Sequence, residues 1–273
     1  MGLTGVESGM QRRRLASASL VIGFVLFASY GAAAAGPRAL LELFTSQGCS
    51  SCPPADKLLG EFAAESSVVA MSLPIDLWDY LGWKDTLALP GHSLRQRAYA
   101  RLRGDRQVYT PQVVVNGATH VVGSDRAAIE RAIAQTDRDT AVMSVPVLLS
   151  AAGGDFSVTL KPPAAGLTEP TDAEVWLCPL SSAIAVSIGR GENGGRTLTY
   201  HNVVRGWHKL GAYSGAESTW SVPLSQIVDG RIDAAAVIVQ KGSREKPGIV
   251  LGAAVLPIGQ QITDDRQHTS KVR

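Results

Sequence analysis

The sequence predicts an α/β domain over residues 38–140, followed by a mostly-β, sandwich-like domain over residues 141–258. Three observations predict it. Strand-like and helix-like segments alternate from residue 39 to about residue 140. After "TDRDT" the pattern changes to short apolar or alternating runs separated by clusters of Gly, Pro, Ser and Asp. The chain has 273 residues, which is long for one domain of ordinary size.

The N-terminal segment comes first. Residues 11–36 read "QRRRLASASLVIGFVLFASYGAAAAG": three arginines, an apolar stretch, then small residues with an A-x-A site ending at Ala35. The apolar stretch falls short of the roughly 20 residues that span a bilayer. Residues 1–35 are therefore expected to be a cleaved signal peptide, with the protein periplasmic or secreted and no stable membrane insertion after cleavage. Losing Arg12, Arg13, Arg14 and Glu7 turns 26 basic and 24 acidic residues into 23 of each. A neutral mature chain offers no basic surface for nucleic acid.

In the α/β part, "ALLELF" (39–44) reads as a buried strand. Ala55, Leu58, Leu59, Phe62 and Ala63 follow at the spacing of one helix face. "VVAMSL" (68–73) is a second strand, which is left by the excursion "PIDLWDYLGWKDT". Leu94, Ala98 and Leu102 predict the inner face of a second helix ending at Gly104, with Arg95, Arg97, Arg101 and Arg103 outside. Residues 111–123, "PQVVVNGATHVVG", predict a hairpin turning at Asn116–Gly117, a pair that tolerates positive φ. Ser124 is expected to cap a last helix carrying Ile129 and Ile133 inward. In the β part the strands are "VPVLLS", "FSVTL", "EVWLCP", "AIAVSI", "TLTYHNVV", "AAVIVQ" and "IVLGAAV". The tail, 259–273, has no apolar period and is expected to be disordered.

The chemistry centres on "GCSSCPPAD". A C-x-x-C pair serves redox sites, zinc sites and haem sites. Haem attachment needs His directly after the second cysteine, where Pro53 stands, and a closed zinc site needs four ligands that no second motif supplies. No metal or other cofactor is required, although a two-cysteine cuprous site stays open as an alternative. Outside the cytosol a close pair is expected to be oxidised at least part of the time. For dithiol exchange, Cys49 at a strand-to-helix junction suits the attacking thiol and Cys52 the resolving one. Proline disfavours helical backbone in the residue before it, so Pro53 and Pro54 can delay the helix start and weaken its dipole at Cys49. A late start with both sulfurs buried points to a structural bond in a scaffold or binding protein; an exposed Cys49 at the helix tip points to an enzyme.

Strand, C-x-x-C, helix, strand, helix, then "YTPQVVVNG" and a last helix: this order resembles the thioredoxin-like superfamily. The resemblance implies a thioredoxin-like α/β fold, Pro111 in the cis form facing the cysteines, and Thr110 before it offering main-chain hydrogen bonds to an extended substrate. The motifs "LFTSQGCSSCPPAD", "PIDLWDYLGWKD", "YTPQVVVNG" and "RGENGGRTLTYHNVVR" are similar to a secreted bacterial family catalogued as domain of unknown function 1223. The chain departs from the thioredoxin pattern in lacking a Trp before Cys49 and a Pro or His between the cysteines.

Around this pair, Trp78, Tyr80 and Trp83 crowd the loop after the second strand. They can line a binding face, or pack onto the β domain. Asp76 or Asp79 can accept a proton from Cys52. Arg190, Glu192, Asn193, Arg196, Asn202 and Arg205 are expected to form an interdomain ion-pair network, and Cys178 is expected to be a buried free thiol. The functional expectation is thiol–disulfide exchange with protein or peptide thiols: catalytic Cys49, Cys52 and Pro111, and substrate-binding Thr110, Trp78, Tyr80 and Trp83. The rival is the non-enzymatic scaffold.

Overall fold

A computed structural model describes residues 36–164 and 172–258. The expected signal peptide and disordered tail lie outside the described residues. Strand β1 (Ala39–Thr45) is buried along its whole length and runs parallel to β2 (Val68–Pro74). On its other side it meets β3 (Gln112–Val115) antiparallel, and β3 turns through Asn116 and Gly117, at φ 51° and 67°, into β4 (Thr119–Val122). The spatial order is therefore β2-β1-β3-β4. Helices α1 (Pro53–Ala63) and α3 (Arg126–Thr136) cover one face, where Leu41, Leu43, Val113 and Val115 meet Leu59, Phe62, Ile129 and Ile133. Asp125, not Ser124, caps α3, its carboxylate accepting from Ala128 N at 2.9 Å. The cap lies one residue later than expected because that position leaves the side chain in reach of the helix's unpaired amides.

The sheet does not stop at residue 140. After β5 (Val147–Ala152) and β6 (Asp155–Leu160) come β7 (Ala173–Ser187) and β8 (Thr197–Val204), and β8 joins β2 in parallel at Ser72 and Val203. On its far side β7 pairs with β11 (Ala234–Ser243), and β11 with β12 (Lys246–Pro257). One sheet thus contains strands from both sides of the expected boundary. Period-two alternation lets its strands serve two cores. Trp176, Cys178 and Leu180 of β7 face the core shared with Phe44 and Met71. Val175 and Leu177 face a second core against β5, β6, β9 (His208–Tyr213) and β10 (Ser218–Pro223).

Helix α2 (Pro90–Arg103) places Ala98 inside and Arg97 and Arg101 outside as expected, but corrects the rest of the inner face. Leu94 is 56% and Leu102 52% exposed, whereas Arg95 is only 4% exposed. The reason is what the helix lies on: Glu42, Gln112 and Gln240 are all buried beneath it, so polar residues face inward. Arg95 binds Glu42 through Nε at 2.6 Å and Nη2 at 3.1 Å. Tyr99 OH donates to Glu42 at 2.6 Å, while Gln240 accepts from Arg95 and donates to Tyr99. Burial opposes the charge on Arg95, and the adjacent Glu42 outweighs it and holds the guanidinium protonated. The group ties β1, α2 and β11 together. Cys178 is a free, fully buried thiol whose pKa burial pushes far up.

Candidate functional site around the Cys49–Cys52 disulfide

Cys49 and Cys52 form a disulfide, with Cα atoms 5.4 Å apart, in the turn between β1 and α1. Helix α1 begins at Pro53, and Cys52 is its N-cap without a side-chain cap bond. The helix starts at Pro53 as expected, but Cys52 already has helical backbone, at φ −79° and ψ −36°, so the prolines do not drive it out of the α region. Pro53 and Pro54 also remove two of the amides a helix N-terminus would offer. Cys49 is 3% and Cys52 0% exposed. Yet neither belongs to a hydrophobic cluster of the core. What encloses them is loop structure.

Three pieces supply the enclosure, two of them from the loop after β2. From the loop after β2, the Asp85 carboxylate accepts from Gln47 N at 2.7 Å and from Leu87 and Ala88 N, and burial raises its pKa. Trp83 Nε1 donates to Gln47 Oε1 at 2.8 Å, while its ring lies against Gly189 and Gly191 of the β7–β8 connection. From that connection, Asn193 Nδ2 donates to Gln47 O at 3.0 Å and Cys49 O at 2.8 Å, and Glu192 accepts from Ser50 N at 3.1 Å. Trp78 is the third piece. A Cβ at Gly48 would lie 2.8 Å from Trp78 Cβ, and Trp78 Nε1 donates to Thr110 Oγ1 at 2.7 Å.

Trp78 therefore joins the Cys49 turn to Thr110, whose bond to Pro111 is cis. Pro111 is buried and, like Ala55 of α1, borders Gly123: a Cβ there would lie 3.2 Å from Pro111 Cβ and 3.3 Å from Ala55 Cβ. Cys49, Cys52, Thr110, Pro111, Trp78 and Trp83 thus share one region. Tyr80 stands off it: 75% exposed, with its ring 6.1 Å from that of Trp78. Trp83 packs on the β7–β8 connection, and Trp78 borders the Thr110 side.

The carboxylates proposed as proton acceptors are committed elsewhere: Asp76 accepts from Ser93, and Asp79 from Asp85 N. The residue missed is Asp56. It sits in the first turn of α1, is 3% exposed, and both its oxygens lack a hydrogen-bond partner among the described residues. Burial, partly offset by the nearby Thr45 hydroxyl and reinforced by the Asp85 charge, raises its pKa to about 8. It borders a cleft of about 490 Å³ with Pro53, Lys57, Arg196 and His201, which gives its proton a path to solvent. The expected ion-pair network at 190–205 is replaced by hydrogen bonds. Asn193, Glu192 and Asn202, the last donating to Ala70 O, reach main-chain groups instead of opposite charges. Among the described residues no three His, Cys, Asp or Glu side chains are placed to hold a metal ion, and no helix is long and apolar enough to cross a membrane.

Comparison with known proteins agrees on family and leaves chemistry open. Residues 40–240 match the family described as "Protein of unknown function (DUF1223)". A crystal structure of a protein from Agrobacterium tumefaciens is similar, with a TM-score of 0.72 and 29% identity, over 82% of this chain and 96% of that one. No curated protein matches.

Proposed function

The chain belongs to the DUF1223 family, and we propose that it is an exported, thioredoxin-like protein that exchanges its Cys49–Cys52 disulfide with protein or peptide thiols. One observation carries the reading: Trp78 joins the turn bearing Cys49 to the Thr110–Pro111 segment that leads into β3, so the two lie side by side. An exchange partner needs both, a sulfur to meet and an adjacent extended main chain to align it. The strand order β2-β1-β3-β4 and the position of the pair between β1 and α1 support the same reading.

In the reduced protein the Cys49 thiolate attacks a substrate disulfide. It forms a mixed disulfide and expels one substrate thiolate, which takes a proton. Cys52 then attacks Cys49 Sγ, releasing the second substrate thiolate. Two protein thiols become a disulfide, and one substrate disulfide becomes two thiols. The reverse sequence runs from the oxidised form. Asp56, mostly protonated near neutral pH, is the buried acid one helical turn beyond Cys52 and can supply or receive the resolving thiol's proton.

A second reading is a scaffold protein with a structural bond. The late helix start and the burial of both sulfurs favour it. Equilibrating the mature protein in glutathione buffers separates the two. Exchange predicts a midpoint above about −300 mV; a disulfide still intact well below that value means a structural bond and refutes exchange.

A further inference from the structure

We infer that the tip of the β7–β8 ribbon is a latch governing access to the disulfide, with Asn193 as the residue that holds it shut. The inference rests on the exchange reading for its purpose, but its geometry stands alone.

Strand β7 is 15 residues long, and its two halves have different partners. Ala173–Leu180 pair with β11, whereas Ala183–Ser187 pair only with Thr197–His201 of β8. The second half is thus a two-stranded ribbon running beyond the sheet. Its inner side, with Ile184, Val186, Leu198 and Tyr200, covers Leu87; on its other side Ala183, Ala185, Ser187, Thr197 and Thr199 are exposed, while His201 lies against Gly60 of α1. At the tip the chain turns through Gly191 and Gly195, at φ 78° and 79°, where a side chain would be strained.

The tip points one buried polar residue at the cysteine turn. Asn193 is 1% exposed between exposed neighbours, and its side chain makes three hydrogen bonds. Nδ2 donates to Gln47 O and Cys49 O, and Oδ1 accepts from Arg196 Nη1 at 2.9 Å. With Glu192 on Ser50 N, two tip residues engage three of the main-chain groups from 47 to 50. Without the tip these groups would be open to water. Attack on a disulfide requires access to a sulfur; Cys49 is almost fully buried yet lies outside the apolar clusters, and the contacts that hold its turn to the tip are polar. Polar contacts exchange with water at little net cost, so this enclosure opens far more readily than a core does.

The test uses the oxidised mature protein and dithiothreitol, following freed thiols by alkylation, so it needs no physiological substrate. If opening precedes attack, the reduction rate scales with the open fraction. Losing the two Asn193 donor bonds in Asn193→Ala then speeds reduction about 30-fold, and Glu192→Ala, at an exposed position, a few-fold. Unchanged rates in both variants overturn the latch. So does an acceleration that tracks loss of global stability in urea. The glutathione equilibrium is measured separately. A structural midpoint with latch-dependent kinetics rejects exchange and keeps the latch; an exchange-competent midpoint with unaltered kinetics does the converse.

Discussion

Replacing Asp56 with Asn should remove one pH dependence from the stability of the fold. Asp56 is buried, its oxygens have no hydrogen-bond partner among the described residues, and its pKa is about 8 against an ordinary 3.8. The folded state therefore binds a proton that the unfolded state releases across that interval. Stability from this group is complete below about 4 and declines as pH rises toward 8. His92 acts with the opposite sign, since burial lowers its pKa from 6.5 to about 4 and its contribution grows between those values. The two offset each other up to about pH 6.5, and above it Asp56 acts alone of the pair. From pH 6.5 to 8 linkage gives a loss of about 2 kcal/mol, or roughly 4–8 °C in Tm for a chain of this size. Thermal unfolding of wild type and Asp56→Asn at matched pH isolates the effect, because other groups cancel in the difference. The variant should gain on the wild type progressively from pH 6.5 to 8. Parallel curves would refute the claim that Asp56 is buried as a neutral acid.

The polar group under α2 gives a second expectation. Arg95→Met leaves Glu42 buried with Tyr99 as its remaining donor and should cost about 3–5 kcal/mol in urea, and adding Glu42→Gln should recover much of it. Gly117→Ala should cost more than about 1 kcal/mol in the same assay, because its φ is positive and a Cβ would press into the Gly248 carbonyl. Thr110→Val removes the acceptor of Trp78 Nε1 and should lower stability by about 1 kcal/mol, read from thermal melts.

These positions also show what the sequence makes legible. Asn116–Gly117 can be read because turn chemistry is local, and α1 and α3 because an apolar stripe needs only its own period. The α2 face cannot be read this way. Leu94 and Leu102 fit an apolar stripe, but the surface beneath is polar through Glu42, Gln112 and Gln240, residues distant in sequence. A hint exists in the Glu inside "ALLELF", an acid amid a fully buried strand, which demands a partner. Asp56 is hidden for another reason: a carboxylate in a helix's first turn ordinarily reads as a complement to the helix dipole. Asn193 reads as a turn residue in a glycine-rich connection. The change of texture at residue 141 is visible, but the β2–β8 pairing that carries one sheet across it is a tertiary event.

The disulfide itself sets the limit between the two functional readings. In the chain-entropy account a bond closing so short a loop restricts the unfolded chain by only about 2 kcal/mol, well below bonds that close long loops. Its cysteines belong to none of the four hydrophobic clusters, although both are almost fully buried. Replacing both Cys49 and Cys52 with Ser should therefore lower stability by no more than about 2 kcal/mol in urea unfolding, against the oxidised wild type. A loss of 4 kcal/mol or more, say about twice that bound, would show that the bond organises native packing around it, as a scaffold requires. A loss within the bound leaves the bond as a poor staple. Its enclosure by Asp85, Trp78 and Asn193 is then better explained as control over who reaches the sulfurs.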